Sequence, residues 1–199
     1  MLTKDNRTMS LLFSTAYLPP ASYILQAIKA GSITIEAHEH FVKQSYRSRC
    51  SIYGPNGKQD LIIPIVHEKL YEVPIKEVKI ANDSRWQKIH WRSIEAAYKN
   101  SPYFEFYEDS FRPYYEKKYD FLFDFNLELI HELFKAKRAK VEINFTDKYE
   151  STNDSFVDLR NHFLPKKKFE TPEKYHQVFS DKHGFIERLS FVDLLFNKG

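Results

Sequence analysis

Apolar and polar residues alternate along residues 33–38. Ile33, Ile35 and Ala37 fall on one face, and Thr34, Glu36 and His38 on the other. That period of two predicts a half-buried strand. Downstream, Leu61, Ile62, Ile63, Pro64 and Ile65 form a continuous apolar run, the pattern of a strand covered on both faces. Between the two, Gly54-Pro55-Asn56-Gly57 supplies the backbone freedom of a reversing loop. Residues 33–66 therefore predict strand, polar loop, strand, turn and strand. Upstream, residues 10–16 predict a short buried first strand, and Pro19-Pro20 leads into a helix over 22–30 that Gly31 stops. Strand, helix and strand in that order predict a parallel pair whose carboxyl ends open on one edge, bringing Tyr17 close to His38 and His40.

The pattern continues through the second half. Residues 76–81 alternate and predict a further strand. Trp86, Ile89, His90, Ser93, Ile94, Ala97 and Tyr98 recur at helical spacing, and Pro102 ends that helix. Residues 103–115 are aromatic with interleaved acids and predict an irregular wrap over the core. A longer helix is expected over 116–137, a strand over 140–146 and a loop over 147–155. Past residues 156–164, where apolar and polar residues are mixed without a clear period, Thr171-Pro172 predicts a short helix. Ser190 with Asp193 predicts a capping box ahead of an apolar helix over 191–196. The class predicted is α/β: a single domain over residues 1–199, with a mixed, partly parallel sheet flanked by helices. Residues 1–8 are expected to fray, and residues 156–199 to dock back on the domain.

Composition narrows the function classes. Thirty basic and 27 acidic residues leave a net charge of +3, without the basic stripe of a nucleic-acid binder. A lone cysteine, Cys50, precludes an intrachain disulfide and is expected to be buried and inert. No window predicts a membrane span, and the N-terminal apolar segment is too short for a signal peptide, so a cytoplasmic location is expected. Seventeen Phe and thirteen Tyr predict an aromatic-rich core.

Chemistry concentrates between His38 and Arg49. No Walker loop, GxGxxG, HExxH, GxSxG or cysteine-based metal motif occurs. His38-x-His40 on a strand would share a face, and three readings stay open: hydrogen-bonded structural histidines, acid-base catalysis, or metal ligation with Glu36 as third ligand. No metal is expected, because no certain third ligand is present, and the cofactor is left unassigned. Lys43, Arg47 and Arg49 lie within seven residues, and the two arginines are expected on one strand face as a fork for phosphate or carboxylate. His90 lies on an apolar helical stripe, where a satisfied core histidine competes with a ligand contact. The candidate catalytic residues are His40, His38 and Lys43. The candidate substrate contacts are Tyr17, Gln44, Tyr46, Arg47, Arg49 and His90. The expected partner is a small anionic or sugar-phosphate ligand.

Several blocks resemble one family. Thr15-Ala16-Tyr17-Leu18-Pro19 followed by Tyr23, Phe41-Val42-Lys43 with Tyr46 and Arg49, Leu61–Ile65, Trp86, His90, Tyr98 and Ser101-Pro102-Tyr103-Phe104 are similar to the WbqC-like proteins. The C-terminal LSFVDLLFNKG resembles the shorter branch of that family. The resemblance implies a place in bacterial surface-polysaccharide biosynthesis of the O-antigen type. Where longer members carry a pair of aspartates, a glutamine and an asparagine, this chain has Ala37-His38, His40 and Ser48. Two functions follow as expectations: a small enzyme transferring an acyl, aminoacyl or related group onto a nucleotide-linked or phosphorylated sugar, with His40 as base, or a non-catalytic sugar-phosphate binding or assembly factor.

Overall fold

The computed structural model describes residues 10–68, 70, 72–152 and 155–199, so the expectation for residues 1–8 lies outside the described residues. β1 (Ser10–Ser14) leads through α1 (Ala21–Ala30) into β2 (Ser32–Glu36), and the two strands pair in parallel from Leu11↔Ile33 to Ser14↔Glu36. Helix α1 buries Ala21, Tyr23, Ile24 and Ala27, and it stops at Gly31. The N–H of Gly31 bonds the carbonyls of Ala27 and Ile28 at φ +71°, a left-handed conformation that favours glycine.

A hairpin follows. β3 (Arg49–Gly54) and β4 (Gly57–Ile62) are antiparallel, closed by the Gly54↔Gly57 pair around a two-residue Pro55-Asn56 loop, with Gly57 at φ +101°. β5 (Glu142–Phe145) then adds in parallel beside β2, and β6 (Phe156–Asp158) beside β1. The result is a four-stranded parallel sheet in the order β5-β2-β1-β6, with the β3-β4 hairpin as a separate sheet. The α/β class is as expected, with the parallel and antiparallel pairings divided between two sheets. Because all four strands of the larger sheet run the same way, Thr15, Ala37, Thr146 and Leu159 leave it at one end.

Four helices complete the frame: α2 (Trp86–Tyr98), α3 (Phe104–Glu116), α4 (Leu122–Ala136) and, after the short α5 (Ser180–His183), α6 (Phe191–Lys198). One apolar cluster runs from Phe13 to Phe196 and contains most of the aromatic rings. Four expectations are corrected. Residues 103–115 form α3 rather than an irregular wrap, because Phe104, Tyr107, Phe111 and Tyr115 repeat at helical spacing and bury one face. The expected helix over 116–137 begins only at Leu122, since Lys117 and Phe121 are extended. Residues 76–81 make a 3-10 turn (Ile75–Glu77) and isolated bridges instead of a strand. Their backbone is shared between Pro64 and Val66 on one side and Asp120 and Leu122 on the other. Thr171-Pro172 opens no helix.

The C-terminal helix docks through Phe191, Val192, Leu195 and Phe196. Ser190 accepts a hydrogen bond from the Val192 N–H as its cap. Asp193 serves another purpose than a capping box: its buried carboxylate accepts from the Tyr175 hydroxyl at 2.6 Å and the Gln177 amide at 2.8 Å. Burial pushes that carboxyl above its ordinary range. It fastens the 171–189 segment, which has little regular structure of its own, to the core. Among the described residues no helix is long and apolar enough to cross a membrane.

Candidate functional site

The polar loop between β2 and β3 is held from inside by ion pairs. Glu36 ends β2 fully buried. One of its oxygens accepts from the His38 N–H at 2.9 Å and the Thr146 hydroxyl at 2.7 Å, and the other from Arg160 at 3.1 Å. Arg160, arriving just after β6, also makes a two-point pair with Asp158 at 3.0 and 2.6 Å. It donates further to the carbonyls of Glu150 and Ser151. Next along the loop, Arg47 forks onto Glu39 at 2.7 and 2.5 Å, with both side chains buried. Burial pushes the Glu39 carboxyl up, and Arg47 opposes that shift. Two backbone ties complete the clamp: the Tyr17 N–H bonds the Tyr46 carbonyl, and the Asn126 amide bonds the Arg47 carbonyl, each at 2.8 Å.

Two chemically distinct places result. The first is a relay at the carboxyl end of β2. Lys76 Nζ lies 2.9 Å from His38 Nε2. An ammonium only donates, so that nitrogen accepts and the ring proton sits on Nδ1. Nδ1 faces the Thr146 hydroxyl at 3.4 Å, and that hydroxyl donates to Glu36. The second place is a cleft of about 250 Å³ where the loop meets the hairpin. It is lined by Phe41, Lys43, Gln44, Ser48, Arg49, residues 62–65 and His67. Arg49 opens β3 opposite Ile62 at the end of β4. Partners across a ladder share a face, so guanidinium and aliphatic side chain enter the cleft together. Arg49 Nε is buried with no hydrogen-bond partner. Gln44 presents itself from a left-handed backbone at φ +54°, conformational strain that the clamped loop sustains.

A model of the WbqC-like protein family matches residues 15–166, three quarters of the chain and every residue of the relay and the cleft. The chain belongs to the WbqC-like protein family. No curated protein and no solved structure matches it.

In this WbqC-like protein, Lys43, Gln44 and Arg49 line one cleft, while the other candidates are elsewhere. Tyr17 does not open onto the sheet edge with the histidines. It is fully buried, and its hydroxyl lies 3.0 Å from His90 Nδ1 and 3.0 Å from the Tyr115 hydroxyl. His90 is thus a satisfied core histidine, and burial pushes its pKa down to about 4. Tyr46 is buried edge-on to Phe169, and burial pushes its phenol up to about 12. Arg47 does not share a strand face with Arg49. It precedes β3, and Glu39 already occupies its fork. His40 is exposed beside a backbone bridge to Pro74. Among the described residues no three His, Cys, Asp or Glu side chains are grouped to hold a metal. Sequence reasoning missed Glu39, Arg160 and His67. Glu39 and His67 carried a local signal, the first from its place in the polar run of residues 38–49 and the second as the first ionisable residue after the apolar run of residues 61–65.

Removing one half of a buried ion pair costs about 3–5 kcal/mol, because the other half stays charged and dry. Arg47→Met should therefore destabilise the protein by that order in urea titrations, and the double change Glu39→Leu with Arg47→Met should recover most of the loss. A single variant melting like wild type would show the pair to be idle.

The depressed His90 pKa links stability to pH. The unfolded imidazole binds a proton near pH 6.5 and the folded one only near 4, so the stability His90 contributes is whole above 6.5 and is lost as pH falls towards 4. The full effect is about 3 kcal/mol. Melting temperatures of wild type and His90→Gln, compared from pH 7 to pH 4, should converge on acidification. Parallel curves would contradict the buried neutral imidazole.

Proposed function

We propose that this chain binds a phosphorylated or nucleotide-linked sugar at the Arg49 cleft and serves group transfer onto that sugar, in the cytoplasm, within bacterial surface-polysaccharide biosynthesis of the O-antigen type. The observation that carries the reading is the buried, unpartnered Nε of Arg49 in a cleft it shares with Lys43, Gln44 and His67. A guanidinium offers planar two-point contact to phosphate or carboxylate, and an orphaned buried donor is costly until it meets an acceptor. Membership of the family supports the pathway context.

Transfer of an acyl or aminoacyl group needs a base to take the proton of the attacking hydroxyl or amine. His67 is the imidazole on the cleft, and His38, joined to Lys76 and Thr146, is the one with a relay behind it. Neither His38 nor His40 lines the cleft, which favours a second reading in which the chain binds the sugar phosphate without transforming it.

Calorimetric titration with a nucleotide sugar tests the binding site. A charge-assisted hydrogen bond is worth about 1.5–3 kcal/mol, so Arg49→Ala should weaken binding roughly ten- to a hundredfold. Arg49→Lys should restore only part of it, because an ammonium lacks the planar fork. Both variants should melt close to wild type. An unchanged affinity together with a collapsed melting temperature would make Arg49 a structural residue and remove the site. Product formation with an acyl thioester donor, lost in His67→Ala while the sugar still binds, separates the enzyme from the binding factor.

A further inference from the structure

The cleft has two kinds of wall, and a sugar phosphate uses only one of them. Along β4 the outward-facing positions are Lys58, Asp60 and Ile62, so Ile62 is the single apolar residue on a polar strand face. It is 50% exposed, opposite Arg49. Phe41, Ile63 and Ile65 continue the apolar lining. Val42 and Val66, each next in sequence to a lining residue, are exposed at 36% and 37%. Scattered surface hydrophobes need no explanation, but Ile62 beside a half-buried guanidinium, on a lining that continues through Phe41, Pro64 and Ile65, makes an amphiphilic cleft.

We propose that the ligand of this cleft is an amphiphilic anion: a phosphate ester that carries a hydrocarbon chain on one of its oxygens. The phosphate meets Arg49, with Lys43 and Gln44 beside it, and the chain lies along Ile62, Pro64 and Ile65. The inference rests on the anion reading of the same cleft and adds the chain to it. Charge complementarity fixes the headgroup. Arg49 Nε has no acceptor within the chain, and its guanidinium lines the cleft, so an anionic oxygen there would meet a charged donor group that no carboxylate occupies. The apolar lining fixes the tail: each methylene buried along Ile62, Pro64 and Ile65 adds a constant increment to affinity. The cleft volume of about 250 Å³ holds a headgroup and the first few carbons, and the remainder of a longer chain leaves it past the exposed Ile62.

Calorimetry with inorganic phosphate and with butyl, hexyl and octyl phosphate, all below their micellar concentrations, tests the proposal. Affinity should rise with chain length, and octyl phosphate should bind about a hundredfold more tightly than inorganic phosphate. Ile62→Thr, a change at a half-exposed strand position that keeps β-branching, should shrink that ratio severalfold. Arg49→Ala should weaken every phosphate and leave the ratio standing. Nucleotide-sugar binding with no dependence on chain length would overturn the amphiphile and leave the Arg49 anion site intact. No binding of any phosphate would overturn both. Cosedimentation with vesicles containing phosphatidic acid, against phosphatidylcholine alone, distinguishes the source. Capture by the acidic vesicles as well as by monomeric octyl phosphate assigns a membrane-borne ester, and monomer binding alone assigns a free one. Vesicle binding without monomer binding, insensitive to Ile62→Thr, would replace the cleft with surface adsorption and sink the proposal.

Discussion

The two-point contact between Arg47 and Glu39 is the constraint on which the rest of the site depends. Both ions are dry, so their separation would leave unpaired charge in the core, and the loop between β2 and β3 is fixed at both ends by that threat. A loop so pinned tolerates Gln44 in a left-handed conformation and presents Lys43 and Gln44 in a defined place. The neighbouring pair of Glu36 and Arg160 does the same for the end of β2, and it reaches across the sheet to the segment after β6. Without these pairs the loop residues would still be cationic, but their position would be averaged away.

This arrangement also explains why the cleft is not at the carboxyl end of the parallel sheet, the usual ligand position in open α/β folds. That end is filled by the protein's own charges. Glu36 and Asp158 both pair with Arg160 there, and Thr146 and the His38 N–H take up what remains of the Glu36 acceptors. A ligand arriving there would have to compete with charge-assisted bonds already made. The hairpin sheet offers what the parallel sheet lacks, a guanidinium with a buried donor still unmatched.

Periodicity was enough for β1, α1, β2, the hairpin turn, α2 and α6, since each has a local apolar pattern and a stop signal. It failed where tertiary contact decided. Phe104, Tyr107, Phe111 and Tyr115 carry a helical repeat, but Glu105, Glu108 and Asp109 between them obscured it. β6 is three residues long and exists because β1 offers it an edge. In the site, Lys43, Gln44 and Arg49 were legible because they sit in one dense polar run beside a strand start. Arg160 was not, since 113 residues separate it from Arg47, whose guanidinium bonds its carbonyl. Tyr17 and His90 misled for a related reason. Both are polar enough to suggest a ligand, and both are satisfied by each other across 73 residues of sequence.

A density of ionisable residues in sequence therefore measures two opposite things. Part of the charge between His38 and Arg49 is there to hold the loop, and it is recognisable by having its hydrogen-bond partners within the chain. Arg47 has Glu39, and His38 has Lys76 on one nitrogen and Thr146 on the other. Arg49 differs in what stands across from it: an isoleucine rather than a carboxylate. Placing an aliphatic residue opposite a half-buried arginine stabilises nothing by charge, and it leaves a buried donor unmet. The buried guanidiniums of Arg47 and Arg160 find their acceptors within the chain, and the open Nε of Arg49 is what sets it apart from them.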